Sequence, residues 1–386
     1  MALYNLTEFL KISSVLNYNL SASSLNRYNV LTYIMDDKRL HPEEQQNLEQ
    51  KGLAMEALNY LFNAYSEKSR RLGPMAILHP LRATALFCRA FNNLTLTDIL
   101  SLLFHDVPED IRSRDYEASR WNMMEAQMHA LYDRMDTIKA QKLKQRLDSL
   151  TKRDEESYFS YIGRLLDSSK DDPMVVQIKM ADRLDNTLDM RIDIHDPLEE
   201  INFFETFFQI LFQNNYKGHM PKRSHPPSSY LNGSKRLYQL FKNTVLLSLI
   251  RKTRIIEDKQ SPQILFNAIA EASLNEAQRI LIHLIDYHYR DVKQQRAILL
   301  EVLDYCYSGK SCMVTRPDSH QQLDGLFYNY FGIIDKDQRN QQIAKLYQNK
   351  PLMMQASVAF IVIFLSFLDN PGFYVKGISN QGVTPE

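Results

Sequence analysis

Apolar positions in this chain recur at spacings of three and four, the period of a helix with one buried face, and strand-like alternation is scarce. The pattern predicts an all-α protein. Residues 1–40 hold a short apolar helix and a Ser/Asn-rich stretch, NYNLSASSLNRYN, expected as a loop or packing arm. From Pro42 the run HPEEQQNLEQKGLAMEALNYLFNAYSEKSRR has an acidic first turn, apolar Leu53, Leu58, Leu61, Phe62 and Tyr65, and basic residues at its end. That helix should stop at Gly73-Pro74. A second should begin around Pro80 in ILHPLRATALFCRAF, which leaves His79 just outside it. A third should run from Leu96 to Asp110, capped by Thr95 or Thr97.

Residues 111–150 are polar and predict either one long exposed helix or a helical hairpin. In LTKRDEESYFSYIGRLL, Thr151 precedes an acidic first turn, and Tyr158, Tyr161, Ile162 and Leu165 form an apolar face. Between Asp172 and Arg191 the stripe is Met174, Ile178, Ala181, Leu184 and Leu188. Further on, INFFETFFQILFQ predicts a buried aromatic helix, and residues 216–236 a locally basic loop, either a solvated linker or an arm over an anionic ligand. The remainder, residues 237–386, predicts amphipathic helices. Its most apolar run, Ala356 to Leu368, falls short of the roughly 20 residues that span a bilayer and is expected as a buried helix.

Length and composition narrow the class. A chain of 386 residues exceeds one ordinary domain, so we expect a main domain over residues 41–236, an N-terminal helical arm (1–40) and a C-terminal helical region (237–386). With 44% hydrophobic and 24% charged residues, the chain can bury a sizeable core. Lys+Arg 46 balances Asp+Glu 46, which removes the field expected of a dedicated nucleic-acid binder. The cysteines, Cys88, Cys306 and Cys312, form no CxxC pair, so a reducing, cytoplasmic compartment is expected. Neither a signal peptide nor a membrane segment is expected.

Chemistry concentrates in SLLFHDVPED, residues 101–110. An apolar run delivers His105 and Asp106 side by side, and a continuous helix would stack Glu109 over His105 and Asp110 over Asp106. Buried charges of this kind need a metal, a counter-ion or water to answer them. A second His-Asp pair, His195-Asp196, lies among charges before Pro197 and is expected at a solvated helix end. His79 is one of three histidines followed by proline, with His41 and His225, so the pair itself carries no information. Asp182, Asn186 and Asp189 edge the stripe of the 172–191 helix, where they face either a pocket or solvent, the latter with an Asp182–Arg183 charge pair. HLIDYHYRD, with His283, Asp286, His288 and Asp291, has metal-binding residue types in no recognisable order. Taken together, His79, His105, Asp106 and Asp182 suit a divalent Mn²⁺, Fe²⁺ or Zn²⁺ with positions left for water. Such an ion yields hydroxide near neutral pH, and phosphoester hydrolysis follows.

Four blocks, RRLGPMAILHP (70–80), LLFHDVPED (102–110), LTKRDEESYFSYI (150–162) and VQIKMADRLDN (176–186), resemble in order those of the HD phosphohydrolase superfamily, more narrowly the hydrolase domain of RelA/SpoT-type enzymes. The resemblance covers residues 45–195. It implies an HD-domain helical bundle in which His79, His105, Asp106 and Asp182 hold one metal, usually Mn²⁺. It also implies that Glu109 and Asp110 manage the attacking water and its protons, that Arg70 and Arg71 lie beside a purine nucleotide, and that Asn186 and Thr187 line its pocket. The implied reaction removes the 3′-pyrophosphate of (p)ppGpp. Departures from the family pattern are Arg71 for the usual Lys, Leu72 for Ser or Thr, Asp185 for a frequent His and Pro108 for an apolar residue. No synthetase domain is recognisable after residue 200. The alternatives are an HD hydrolase of another nucleotide, a sensor that binds an alarmone without cleaving it, and a helical adaptor that docks a partner through residues 353–370.

Overall fold

The computed structural model describes residues 6–21, 27–35, 48–66, 68, 76–154, 156, 158–189, 233–257, 260–308 and isolated positions between 335 and 383. Among these residues the fold is all-α. The exception is a two-residue antiparallel pairing of Ile378–Ser379 with Gly382–Val383. No helix among the described residues is long and apolar enough to cross a membrane. The chain forms two compact units, one of Met1–Glu156, Arg164–Asp189 and Arg254–Ile269, the other of Ser157–Gly163, Met190–Thr253 and Ala270–Glu386. Arg70, Arg71, Gly73-Pro74, His195-Asp196, the INFFETFFQILFQ segment and residues 216–232 lie outside the described residues.

The first unit is organised around α4 (Leu78–Ala90), packed by α1 (Leu6–Ser21), α2 (Arg27–Met35), α5 (Leu96–Leu103) and α10 (Met174–Leu188). Almost every side chain of α4 is buried, which suits a helix with apolar residues on every face. Around this centre, α3 (Leu48–Tyr65) packs on α5 and on α7 (Ala118–Arg134), and α8 (Thr137–Leu150) packs on α5 and α7. Residues 111–150 thus take the hairpin form, with Asp136 capping α8 by accepting from the N–H groups of Ile138 and Lys139. A buried arginine on α8 ties this layer together. Arg146 donates to Asp98 at 2.7 Å and to Asp172 at 2.6 and 3.1 Å.

Several local expectations change. The described parts of the Ser/Asn-rich stretch, residues 17–21 and 27–29, are helical: they belong to α1 and α2, where Phe9, Ile12 and Leu16, and Val30, Leu31 and Ile34, bury their faces. Helix α3 ends at Tyr65, before the basic residues. Helix α4 begins at Leu78, so His79 lies inside its first turn. Thr151 does not start a helix: it follows α8, its hydroxyl donates to the Leu147 carbonyl at 2.7 Å, and the next helix, α9 (Tyr158–Asp171), begins seven residues later.

The expected single helix from Leu96 to Asp110 is two. Thr95 and Asp98 close a reciprocal capping box at the start of α5, while Thr97 is buried and does not cap. After Leu103 the backbone leaves the helix through Phe104 and Asp106, and α6 (Val107–Asp110) starts anew with Pro108 in its first turn. Pro108 has no N–H, so it cannot carry the hydrogen-bond ladder onward.

In the second unit, α11 (Gly233–Thr253) and the part of α12 (Gln260–His288) from Ala270 onward are tied by a buried Arg236–Glu276 pair at 2.5 Å and an Asn243–Ser273 hydrogen bond at 2.8 Å. Helix α13 (Val292–Ser308) follows. In the apolar 356–368 run, the described positions Ser357, Val358, Ile361 and Leu365 are helical and buried.

Candidate metal centre

Three segments of the first unit converge on one point. Helix α4 supplies His79, the step between α5 and α6 supplies His105 and Asp106, and α10 supplies Asp182. One donor atom from each lies within 4.8 Å of all the others, and no other such group occurs among the described residues, so the set HLIDYHYRD forms none. His79, His105 and Asp182 are buried, whereas the Asp106 side chain keeps 26% of its exposure and opens the cluster to solvent.

The orientation of the two imidazoles is the informative feature. His105 Nδ1 lies 2.6 Å from the carbonyl of Leu102, which can only accept, so that nitrogen carries the proton. His79 Nδ1 lies 2.6 Å from the Asp185 carboxylate and is committed in the same way. Both Nε2 atoms therefore turn inward and face each other at 3.2 Å. From His79 Nε2 to Asp106 is 3.1 Å and to Asp182 is 3.2 Å; from His105 Nε2 to the same two residues is 3.2 and 3.7 Å. Ligands about 2.0–2.2 Å from one ion sit roughly 3–3.5 Å from their neighbours, and the cluster has that spacing. With neutral rings the four ligands carry two negative charges, which one divalent cation balances.

The carboxylates and imidazoles of the cluster act strongly on one another. Burial pushes the His105 imidazolium down, but Asp106 and Asp182 outweigh it and hold its pKa well above the ordinary value. Burial by itself would raise Asp106, yet His105 and His79 hold its carboxyl far below the usual range. Asp182 is likewise held low against its burial, by Lys179 first and then by the two imidazoles. Lys179 Nζ pairs with Asp182 Oδ2 at 2.8 Å, so Asp182 faces inward rather than a solvated surface.

The other residues singled out from the sequence take varied positions. The break after Leu103 removes the stacking of Glu109 over His105, because no single helix joins them. Glu109 Oε1 instead accepts the backbone N–H of Lys152 at 2.7 Å, and burial raises its pKa despite that bond. Asp110 accepts from the buried Tyr65 hydroxyl at 3.2 Å, and Lys68 bonds its carbonyl. Lost hydration and the charge of Asp106 raise the Asp110 carboxyl. Asn186 donates to Asp182 Oδ1 at 2.5 Å and thus orients a cluster residue. Thr187 is buried, with its hydroxyl donating to the Arg183 carbonyl at 2.7 Å.

No family model, curated protein or solved structure matches this chain. The site's meaning rests on its own geometry.

Of three further groups that build the centre, sequence reasoning passed over Arg82 and Lys179 and met Asp185 only as a departure from the family pattern. Each lies three residues from a cluster residue on the same helix, Arg82 from His79, and Lys179 and Asp185 from Asp182. One-turn spacing was the available signal.

Proposed function

We propose that this chain is a metal-dependent phosphohydrolase of the HD type, with (p)ppGpp as its substrate and the 3′-pyrophosphate as the group removed. The observation that carries the reading is the convergence of two Nε2 atoms, 3.2 Å apart, whose Nδ1 partners are already committed elsewhere. A helical adaptor has no use for two inward imidazoles flanked by Asp106 and Asp182. His79, His105, Asp106 and Asp182 would hold the ion; the donor set suits Mn²⁺, Fe²⁺ or Zn²⁺, and the resemblance favours Mn²⁺. A divalent ion supplies Lewis acidity and lowers the pKa of bound water toward neutrality.

The residues around it supply the rest. Glu109 and Asp110 have raised pKa values, which brings both closer to the range where a carboxyl exchanges protons near neutral pH. One accepts the proton of the attacking water, and the other returns a proton to the departing 3′ oxygen as its bond to phosphorus breaks. Tyr65 fixes the Asp110 carboxyl, and the Lys152 N–H fixes that of Glu109. Asn186 keeps Asp182 turned inward. Arg70 and Arg71 remain the proposed nucleotide contacts, on the resemblance alone.

The test is turnover of a panel of ppGpp, NADPH, dNTPs and cyclic nucleotides by the purified chain with Mn²⁺. We expect GDP and pyrophosphate from ppGpp, and a rate lowered about 10²–10⁴-fold in Glu109→Gln with metal binding retained. Stoichiometric metal with no phosphate ester turned over refutes the hydrolase, and ppGpp bound without product identifies a sensor instead.

A further inference from the structure

We propose that Asp185, clamped by Arg82, is the positioning residue that makes His79 a metal ligand; this rests on the reading of the cluster as a metal centre. Asp185 is fully buried, and its carboxylate is occupied on both oxygens. Oδ2 takes the His79 Nδ1 proton at 2.6 Å and a second bond from Arg82 Nη2 at 3.1 Å. Oδ1 takes Arg82 Nε at 2.8 Å. Asp185 is not among the residues whose donor atoms converge, so it acts through the ring and not as a fifth ligand.

The arrangement repeats itself along two helices. Helices α4 and α10 approach with His79 opposite Asp182 at 3.2 Å, and one turn onward on each they place Arg82 opposite Asp185. The first pair faces the ion and the second supports the first. A metal-binding imidazole needs its far nitrogen held, both to settle which nitrogen carries the proton and to stop ring rotation. A carboxylate does this only if its own plane is fixed, and the Arg82 fork fixes it. Arg82 is in turn held by Asp189 through Nη2 at 2.7 Å, and the Phe9 ring from α1 lies 4.8 Å from its guanidinium carbon. The support therefore extends into the N-terminal helix, outside the residues that carry the family resemblance.

The two metal-binding histidines differ in this respect. His105 relies on a main-chain carbonyl that substitution cannot remove, whereas His79 relies on a side chain that it can. In Asp185→Asn the amide oxygen can accept from His79 only if the amide N–H₂ meets the Arg82 donors, so one of the two contacts is lost.

The test uses the full chain loaded with Zn²⁺, a diamagnetic probe, and two readouts: competition with a chromophoric chelator, and ¹H–¹⁵N spectra of histidine-labelled protein. The unaltered chain should bind about one equivalent and show a slowly exchanging His79 Nδ1–H. Asp185→Asn should weaken binding about 10–100-fold and expose that proton to exchange. Its circular dichroism and the His105 Nδ1–H signal should stay as they were. Arg82→Lys keeps a cation but loses the fork and should weaken binding severalfold, which serves if Asp185→Asn does not fold. Unchanged affinity and an unchanged His79 signal in a folded variant overturn the role of Asp185 while leaving the metal centre standing. Failure of the unaltered chain to bind metal removes the metal centre and this role with it.

Discussion

Replacing Asp182 with asparagine keeps the side-chain volume and removes one of the two carboxylates that face the imidazoles. The structure sets the size of the effect. Asp182 Oδ1 lies 3.2 Å from His79 Nε2 and 3.7 Å from His105 Nε2, while Oδ2 answers Lys179. Outer partners of metal ligands typically cost 10–100-fold in affinity, so a direct ligand should cost at least about 100-fold, or about 2.8 kcal/mol. Binding to the folded state alone stabilises by about 2.7 kcal/mol at a free metal concentration 100 times Kd. At that same concentration the variant sits near its own Kd and gains only about 0.4 kcal/mol. For a domain of this size each kcal/mol moves Tm by roughly 2–4 °C, so Mn²⁺ should raise the Tm of the unaltered chain by roughly 5–10 °C and that of Asp182→Asn by about 1 °C. Differential scanning fluorimetry across a Mn²⁺ series, with Ca²⁺ as a control, measures both. An equal Mn²⁺ shift in the two proteins refutes the assignment of Asp182 as a ligand.

Three further outcomes follow from the scaffold. Arg146→Met should destabilise the first unit by about 3–5 kcal/mol in urea unfolding, because it leaves the buried Asp98 carboxylate unpaired; a loss under 1 kcal/mol contradicts the buried-pair reading. Burial would raise the Asp172 carboxyl, but the Arg146 hydrogen bonds hold it below its ordinary value, so it stabilises the fold above the unfolded pKa and loses that contribution as pH falls through the folded one. The stability gap between the unaltered chain and Asp172→Asn should be flat above about pH 5 and shrink below about pH 4, and a gap that grows in acid contradicts the sign. Thr95→Ala should cost about 1 kcal/mol by removing the capping box of α5, and unchanged thermal unfolding would show that the box contributes nothing.

The all-α class was legible because the apolar stripes repeat at helical spacing, and Ile178, Ala181, Leu184 and Leu188 of α10 are all buried as that spacing requires. The metal-binding residue types were legible as types. Helical period tells which face is buried and not which other helix covers it, so their convergence was legible only through the ordered blocks of the resemblance, and the four do come together. The stacking of Glu109 over His105 failed because it assumed one continuous helix, although Pro108 in the same segment signalled a break. Asp185 stood out only as a departure from a family pattern. Its task depends on Arg82, which lies 103 residues earlier in the chain, and no local pattern connects the two. Thr187 sat beside a candidate pocket residue in sequence, but one step along a helix turns a side chain by about 100°, and that step carries it into the core.

The interruption after Leu103 also decides what one carbonyl does. In an unbroken helix the Leu102 oxygen would take the main-chain amide of Asp106, four residues on. Here it takes that of His105 at 3.4 Å, and the imidazole of the same residue closes on it at 2.6 Å. Main chain and side chain of one residue thus grip a single oxygen, and that grip sets which nitrogen of the ring looks toward the cluster.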